Sequence, residues 1–132
     1  MFPDIRLEEE IIEIYNDNKD VIDDFCNNLL KITENEIYID HHNTYKIVYN
    51  SQLIDMPFDE KTKNLIKFLK KECGIEYINK INFDIFLATD NARDYEQGLL
   101  YSINVTDINT HGQKKVFYLK NICENIYFYK AH

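Results

Sequence analysis

Hydrophobic residues recur every three or four positions between Leu7 and Ile32, which is the spacing of one face of an α-helix. The series consists of Leu7, Ile11, Ile14, either Val21 or Ile22, Phe25, Leu29 and Ile32. Asn18 interrupts it, and the run Asn16-Asp17-Asn18 disfavours the interior of a helix. The pattern therefore predicts either one bent helix or two short helices, with Asp4 as the first N-cap.

Beyond Glu36 the period changes to the alternation that is typical of β-strands. Ile37 and Ile39 precede a polar turn at residues 40–43, and Tyr45, Ile47 and Tyr49 follow it, so the stretch is predicted to be a β-hairpin. Later runs of β-branched and aromatic residues predict four more strands, at residues 83–88, 99–105, 116–119 and 126–129. Residues 91–97 and 106–114 are predicted to be connecting loops.

A second main helix is predicted over residues 57–73, with Gly74 as its C-terminal cap. The side chains expected to face the core from it are those of Phe58, Leu65, Ile66, Leu69 and Cys73. The element order is then α-β-β-α-β-β-β-β. It predicts an α+β fold in which two main helices pack on one face of an antiparallel sheet of five or six strands. One domain is expected over residues 1–132.

Negative charge is concentrated at the start of the chain. Residues 4–36 contain eleven acidic and three basic residues, a difference of eight that equals the net charge of −8 of the whole chain. With the apolar stripe facing inward, six acids should project outward or flank the stripe, clear of the core. They are Glu9, Glu10, Glu13, Asp17, Asp20 and Asp24. Two interpretations are open: this surface binds a basic partner, or it is solvated surface without a partner.

A second cluster of polar residues lies in the predicted loop that follows the strand at residues 83–88. Its candidate binding residues are Asp90, Asp94, Tyr95 and Glu96, with Arg93 between them. Paired carboxylates can act as acid and base when they are held at a set distance. A loop of this composition can equally face solvent, and we therefore name no catalytic residue.

Other chemistries have little support in the sequence. His41 and His42 are adjacent, so their side chains should point to opposite sides of an extended chain, and no metal site is predicted there. Cys123 is expected to be structural. Three glycines leave no room for a phosphate-binding loop, so no cofactor is predicted. The lysines are balanced by acids outside the acidic segment, which disfavours direct nucleic-acid binding.

The compartment is predicted to be the cytoplasm. The N-terminal residues do not have the pattern of a secretory leader, and no apolar stretch is long enough to span a membrane. Cys26, Cys73 and Cys123 are odd in number and far apart, which is typical of reduced cysteines in a cytosolic protein. A monomer or a weak dimer is expected.

The order of these features resembles that of small immunity proteins of polymorphic or contact-dependent bacterial toxin systems. The features are the acidic first helix, the hairpin, the capped second helix, the strands at residues 83–88 and 98–105, and the aromatic run Asn125-Ile126-Tyr127-Phe128-Tyr129. The resemblance implies an intracellular inhibitor without enzymatic activity that binds a cognate basic toxin, such as a nuclease. It assigns no individual residue.

Two other classes of function remain open on the sequence. A phage-encoded anti-defence protein that mimics nucleic acid would have the same acidity, but its target would be a defence nuclease of the host. A small enzyme built around residues 90–96 would need a deep pocket beside that loop.

Overall fold

The computed structural model describes residues 6–34, 36–40, 45–49, 51–92, 94–103, 110–111 and 114–132. Within these residues the chain has three helices, α1 (Glu8–Asp17), α2 (Lys19–Leu30) and α3 (Glu60–Glu72), and nine strands. The strands are β1 (Glu36–Ile39), β2 (Tyr45–Tyr49), β3 (Gln52–Asp55), β4 (Tyr77–Ile81), β5 (Asp84–Ala92), β6 (Tyr95–Ser102), β7 (Thr110–His111), β8 (Lys114–Cys123) and β9 (Ile126–Ala131). None of the described helices is long and apolar enough to cross a membrane.

The strands form one antiparallel sheet in the order β3-β2-β1-β4-β5-β6-β9-β8-β7. The fold is α+β, but the predicted five or six strands, two helices and element order are wrong. Three strands were missed outright. The chain turns at Ser51, with a positive φ of 64°, directly into β3, and β4 follows α3. The short strand β7 lies within the predicted loop at residues 106–114. The predicted loop at residues 91–97 is largely the paired ends of β5 and β6.

The N-terminal segment forms two helices and not one bent helix. Asn18 separates them with φ −128° and ψ 26°, and its side-chain amide donates to the Ile14 carbonyl at 2.9 Å. The first helix begins at Glu8 with Leu7 as its N-cap, so the predicted start at Asp4, which lies outside the described residues, is wrong. Leu7 was also placed wrongly in the inward stripe, because its side chain is 63% exposed.

The helix α3 begins three residues later than predicted. Asp59 is its N-cap and accepts a 2.8 Å hydrogen bond from the Thr62 amide. At the other end Gly74 has a φ of 69°, and the Ile75 amide donates to the Leu69 carbonyl at 3.2 Å, so the predicted glycine cap is confirmed.

The core lies between the three helices and one face of the sheet. The helix α1 lies over β6 and β9, while α2 packs against α3. Buried core residues include Ile11, Tyr15, Ile22, Phe25 and Leu29 from the first two helices, Ile66 and Leu69 from α3, and Ile37, Ile39, Ile78, Ile85, Leu87, Leu99 and Phe128 from the sheet. A smaller cluster of Phe86, Leu100, Tyr129 and Ala131 is also buried. The opposite sides of α1 and α2 are left to solvent.

Candidate protein-binding surface

The outer sides of α1 and α2 carry the acidic residues that the sequence singled out. Glu9, Glu10, Glu13, Asp17, Asp20 and Asp24 are all exposed, which confirms their predicted orientation. Glu10, Glu13 and Asp17 follow one another at intervals of three and four residues on α1, and Asp20 and Asp24 are four apart on α2, so each helix presents its acids on one side. We call these six residues the acidic stripe.

The charges of the acidic stripe are not neutralised by the neighbouring cations of the described structure. Within the described residues, none of the six acids forms an ion pair. By contrast, Glu8 pairs with Lys120 at 2.9 Å, and this hydrogen bond is the main cause that lowers the pKa of Glu8. Asp23 pairs with Lys19, also at 2.9 Å. The acids that face the protein therefore have partners, while those of the stripe face solvent.

A buried tyrosine fixes the two acidic helices to each other. The Tyr15 hydroxyl donates to Asp23 at 2.8 Å, so α1 and α2 share a hydrogen bond across the break at Asn18. Burial, together with this bond to a carboxylate, raises the pKa of Tyr15 far above its ordinary value. The contact holds the stripe on both helices in one arrangement.

The second predicted site is mainly structural. Asp90 accepts hydrogen bonds from the Arg6 amide at 3.3 Å, from the Thr89 hydroxyl at 2.9 Å and from the Gln97 side-chain amide at 3.1 Å. Gln97 donates in addition to the Arg6 carbonyl at 2.6 Å. These bonds attach the segment before α1 to the hairpin of β5 and β6. Asp90 therefore anchors the acidic helices instead of extending from a loop.

Glu96 is no more available to a partner, because it is 1% exposed. It accepts a hydrogen bond from the Tyr129 hydroxyl, and its other carboxylate oxygen lies 3.6 Å from the Lys114 ammonium. Burial and the neighbouring carboxylate raise the pKa of Tyr129 well above its ordinary value. The predicted exposure of Glu96 in a loop is wrong, since β6 turns its side chain into a buried polar network.

Asp94 and Tyr95 lie at the turn of the same hairpin. Asp94 is exposed, whereas Tyr95 is half-buried and its hydroxyl donates to the Gln97 side chain at 2.5 Å. Of the four residues proposed from the loop, Asp94 is accessible and Tyr95 is partly so.

Sequence reasoning missed the residues that connect these sites. Arg6 and Asp90 are 84 positions apart, and their contact has no local sequence signal. Tyr15 follows Ile11 by four residues, so helical spacing could have added it to the inward stripe. Lys114 and Tyr129 come from strands whose pairing the sequence could not give.

The remaining candidates add no described site. His41 and His42 lie outside the described residues, so the prediction about them is untested. The described residues contain no group of three metal-binding side chains. All three cysteines are free thiols, with Cys26 and Cys73 buried. Half-buried Cys123 lines a cavity of about 90 Å³ with Tyr15 and Asp23.

No family model, no curated protein sequence and no solved structure matches this chain.

Proposed function

We propose that this chain is a non-enzymatic inhibitor that binds a cognate basic toxin, such as a nuclease, through the acidic stripe. The observation that carries the proposal is the division of α1 and α2 into two sides. One side contributes buried residues to the core, and the other presents six exposed acids without ion pairs among the described residues. A partner with a basic groove would be electrostatically complementary to such a surface.

The rigidity of the stripe supports the same function. Tyr15 and Asp23 connect the two helices, and Arg6 and Asp90 attach the start of α1 to the sheet. A surface that is already ordered loses less conformational entropy on binding, so more of the electrostatic attraction is retained as affinity.

Asp90 and Glu96, which could have acted as acid and base in an enzyme, make structural contacts. Asp90 and Glu96 accept hydrogen bonds that join separate elements of the fold. We therefore propose binding and not catalysis for this chain. Its three free thiols are compatible with a reducing compartment, and we place its action in the cytoplasm.

The direct test is to co-express the chain with the product of the adjacent upstream gene and to purify both proteins. We expect the chain to protect cells from that product and to elute with it as a complex at physiological salt. An adjacent product that is neither toxic nor bound contradicts the immunity role. Binding instead to a host defence nuclease would identify an anti-defence inhibitor that uses the same surface.

A further inference from the structure

An open groove lies between the end of α2 and the beginning of α3. It has a volume of about 400 Å³, and Ile32, Met56 and Phe58 provide its apolar lining. A smaller pocket formed by Phe25, Leu29 and Leu65 adjoins it, because Asn28, Ile32 and Thr62 line both. The lining of the groove is thus partly polar and partly apolar, and its apolar residues can contact one apolar side chain of a partner.

The groove continues the line of the acidic stripe. Asp20, Asp24 and Asn28 are spaced by four residues on α2, so they lie on the same side of that helix. Asn28 lines the groove, and Asp24 is one helical turn before it. A partner segment that places cations against Asp20 and Asp24 therefore has the groove directly beside it.

The opposite wall of the groove carries charges of both signs. Asp59 and Lys61 both line it, and both are exposed. This wall therefore has no strong preference for either sign of charge. The uncompensated acids Asp20 and Asp24 lie on the side of α2, so the cations of an occupant are attracted to that side.

From this arrangement we infer that the groove receives one apolar side chain of the same basic partner, from a helical segment with Lys or Arg on the flank that faces α2. The inference rests on the proposed function. The flank with Lys or Arg faces Asp20 and Asp24, while an aromatic or aliphatic side chain enters between Asn28 and Thr62. Helical segments commonly bind apolar grooves in this way, with affinity concentrated in one buried anchor.

Two synthetic helical peptides test the inference. Both carry the same lysines on one flank, and one has Phe at the adjoining position where the other has Ala. We expect the chain to bind the Phe peptide at least about tenfold more tightly, because burial of a Phe side chain is worth more than one tenfold step in affinity. Equal affinities, or no binding of either peptide, contradict the groove as an anchor site.

Matched variants test whether the preference for the Phe peptide arises at the groove. Asn28→Trp fills the groove and should remove the preference for Phe, whereas Asn64→Trp, at an exposed position of α3, should preserve it. Circular dichroism checks that both variants are folded.

Lys61→Glu removes the cation beside the groove and should tighten binding of the Phe peptide several-fold. Lys71→Glu makes the same charge change about 15 Å along the helix, beyond the screening length, and should have little effect.

The two proposals fail in different ways. If the acidic stripe is the binding surface, replacement of Asp20 and Asp24 with Lys should weaken both peptides equally. Peptides that lose affinity with this change but do not differ from each other contradict only the groove. Affinities that stay the same when the stripe is reversed contradict the proposed function itself.

Discussion

The hydroxyl of Tyr15 donates a 2.8 Å hydrogen bond to Asp23, and this one contact joins the two acidic helices across their break. Tyr15 is buried in the core, so its hydrogen bond connects the carboxylate of Asp23 to the core side of the helices. Lys19 binds the second oxygen of the same carboxylate at 2.9 Å. The acids on either side of Asp23 along the helix are thereby kept on the outer surface.

Removal of this contact should loosen the junction of the helices. Tyr15→Phe keeps the buried ring and removes one hydrogen bond to a charged group, a loss of about 1.5 to 3 kcal/mol in the free energy of unfolding. Urea denaturation measures the change. Tyr38→Phe is the control, since its hydroxyl makes only a 3.4 Å contact with Glu36, and it should change stability much less. Equal losses from both would show that the Tyr15 contact has no special role.

Stability should fall at alkaline pH because the buried tyrosines Tyr15 and Tyr129 have pKa values raised well above the ordinary one. The ordinary pKa is 10.0, and the folded protein raises that of Tyr15 and that of Tyr129. Below about pH 10 both phenols are protonated in the folded and the unfolded chain, so the full stability is present. Above it only the unfolded chain ionises, and the free energy of unfolding decreases.

Urea titrations at several pH values between about 9 and 11.5 measure this decrease. Tyr15→Phe and Tyr129→Phe should each make the dependence on pH less steep than in the wild type, whatever their stability at neutral pH. If the free energy of unfolding decreased with pH as steeply in both variants as in the wild type, Tyr15 and Tyr129 would not be the cause of the alkaline destabilisation.

Asp90 should matter for stability, and Asp94 should not. Asp90→Ala removes the acceptor of the Arg6 amide and one of the two acceptors of the Gln97 side chain, a cost of about 1 to 3 kcal/mol. Asp94→Ala changes an exposed side chain four residues away and should stay within about 0.5 kcal/mol. Thermal or urea unfolding measures both. If Asp94→Ala destabilised the fold more than Asp90→Ala, Asp90 would again be a candidate for contact with a partner.

Only the inner side of α3 should contribute strongly to the stability of the fold. Leu69 is fully buried, so Leu69→Ala should destabilise the fold by about 2 to 5 kcal/mol. Phe68 is the neighbouring residue and is 36% exposed, so Phe68→Ala should cost clearly less. If Leu69→Ala retained full stability but weakened binding, this side of α3 would belong to the interface.

The helices were largely predictable because their apolar spacing is a local property of the sequence. Ile11, Ile22, Phe25 and Leu29 are buried as the stripe requires, and Gly74 ends α3. The break at Asn18 could be suspected but not decided. Whether a helix continues past such a residue depends on tertiary contacts such as that of Tyr15 with Asp23.

The strands were less predictable because several polar residues in them have distant partners. Lys80 lies in β4 and is 3% exposed, yet its ammonium donates to the carbonyls of Ile32 at 2.5 Å and of Glu34 at 2.8 Å. Burial lowers its pKa. In the sequence such a lysine interrupts an apolar alternation, and the strand was missed. The polar ends of β5 and β6 were interpreted as a loop for the same reason.

The most direct test of a functional acidic stripe is a comparison of two variants with equal charge. One replaces Glu13, Asp17, Asp20 and Asp24 with Lys, and the control replaces Asp55, Glu60, Glu72 and Glu76, which are exposed elsewhere. Each change brings the formal net charge from −8 to zero. The stripe variant should remain folded, since exposed substitutions usually change stability by less than about 0.5 kcal/mol each. The control also loses the Lys46–Asp55 and Lys63–Glu60 ion pairs, but such exposed pairs contribute only about 0 to 1 kcal/mol each, so it too should remain folded.

The measurement is the affinity of each variant for the cognate basic partner, with association rates taken at low and at physiological ionic strength. The stripe variant should lose at least about a hundredfold in affinity, and the wild-type association rate should fall steeply with salt. The control should lose far less. A folded stripe variant that binds with wild-type affinity would contradict the proposal and show that the acidic stripe is solvated surface.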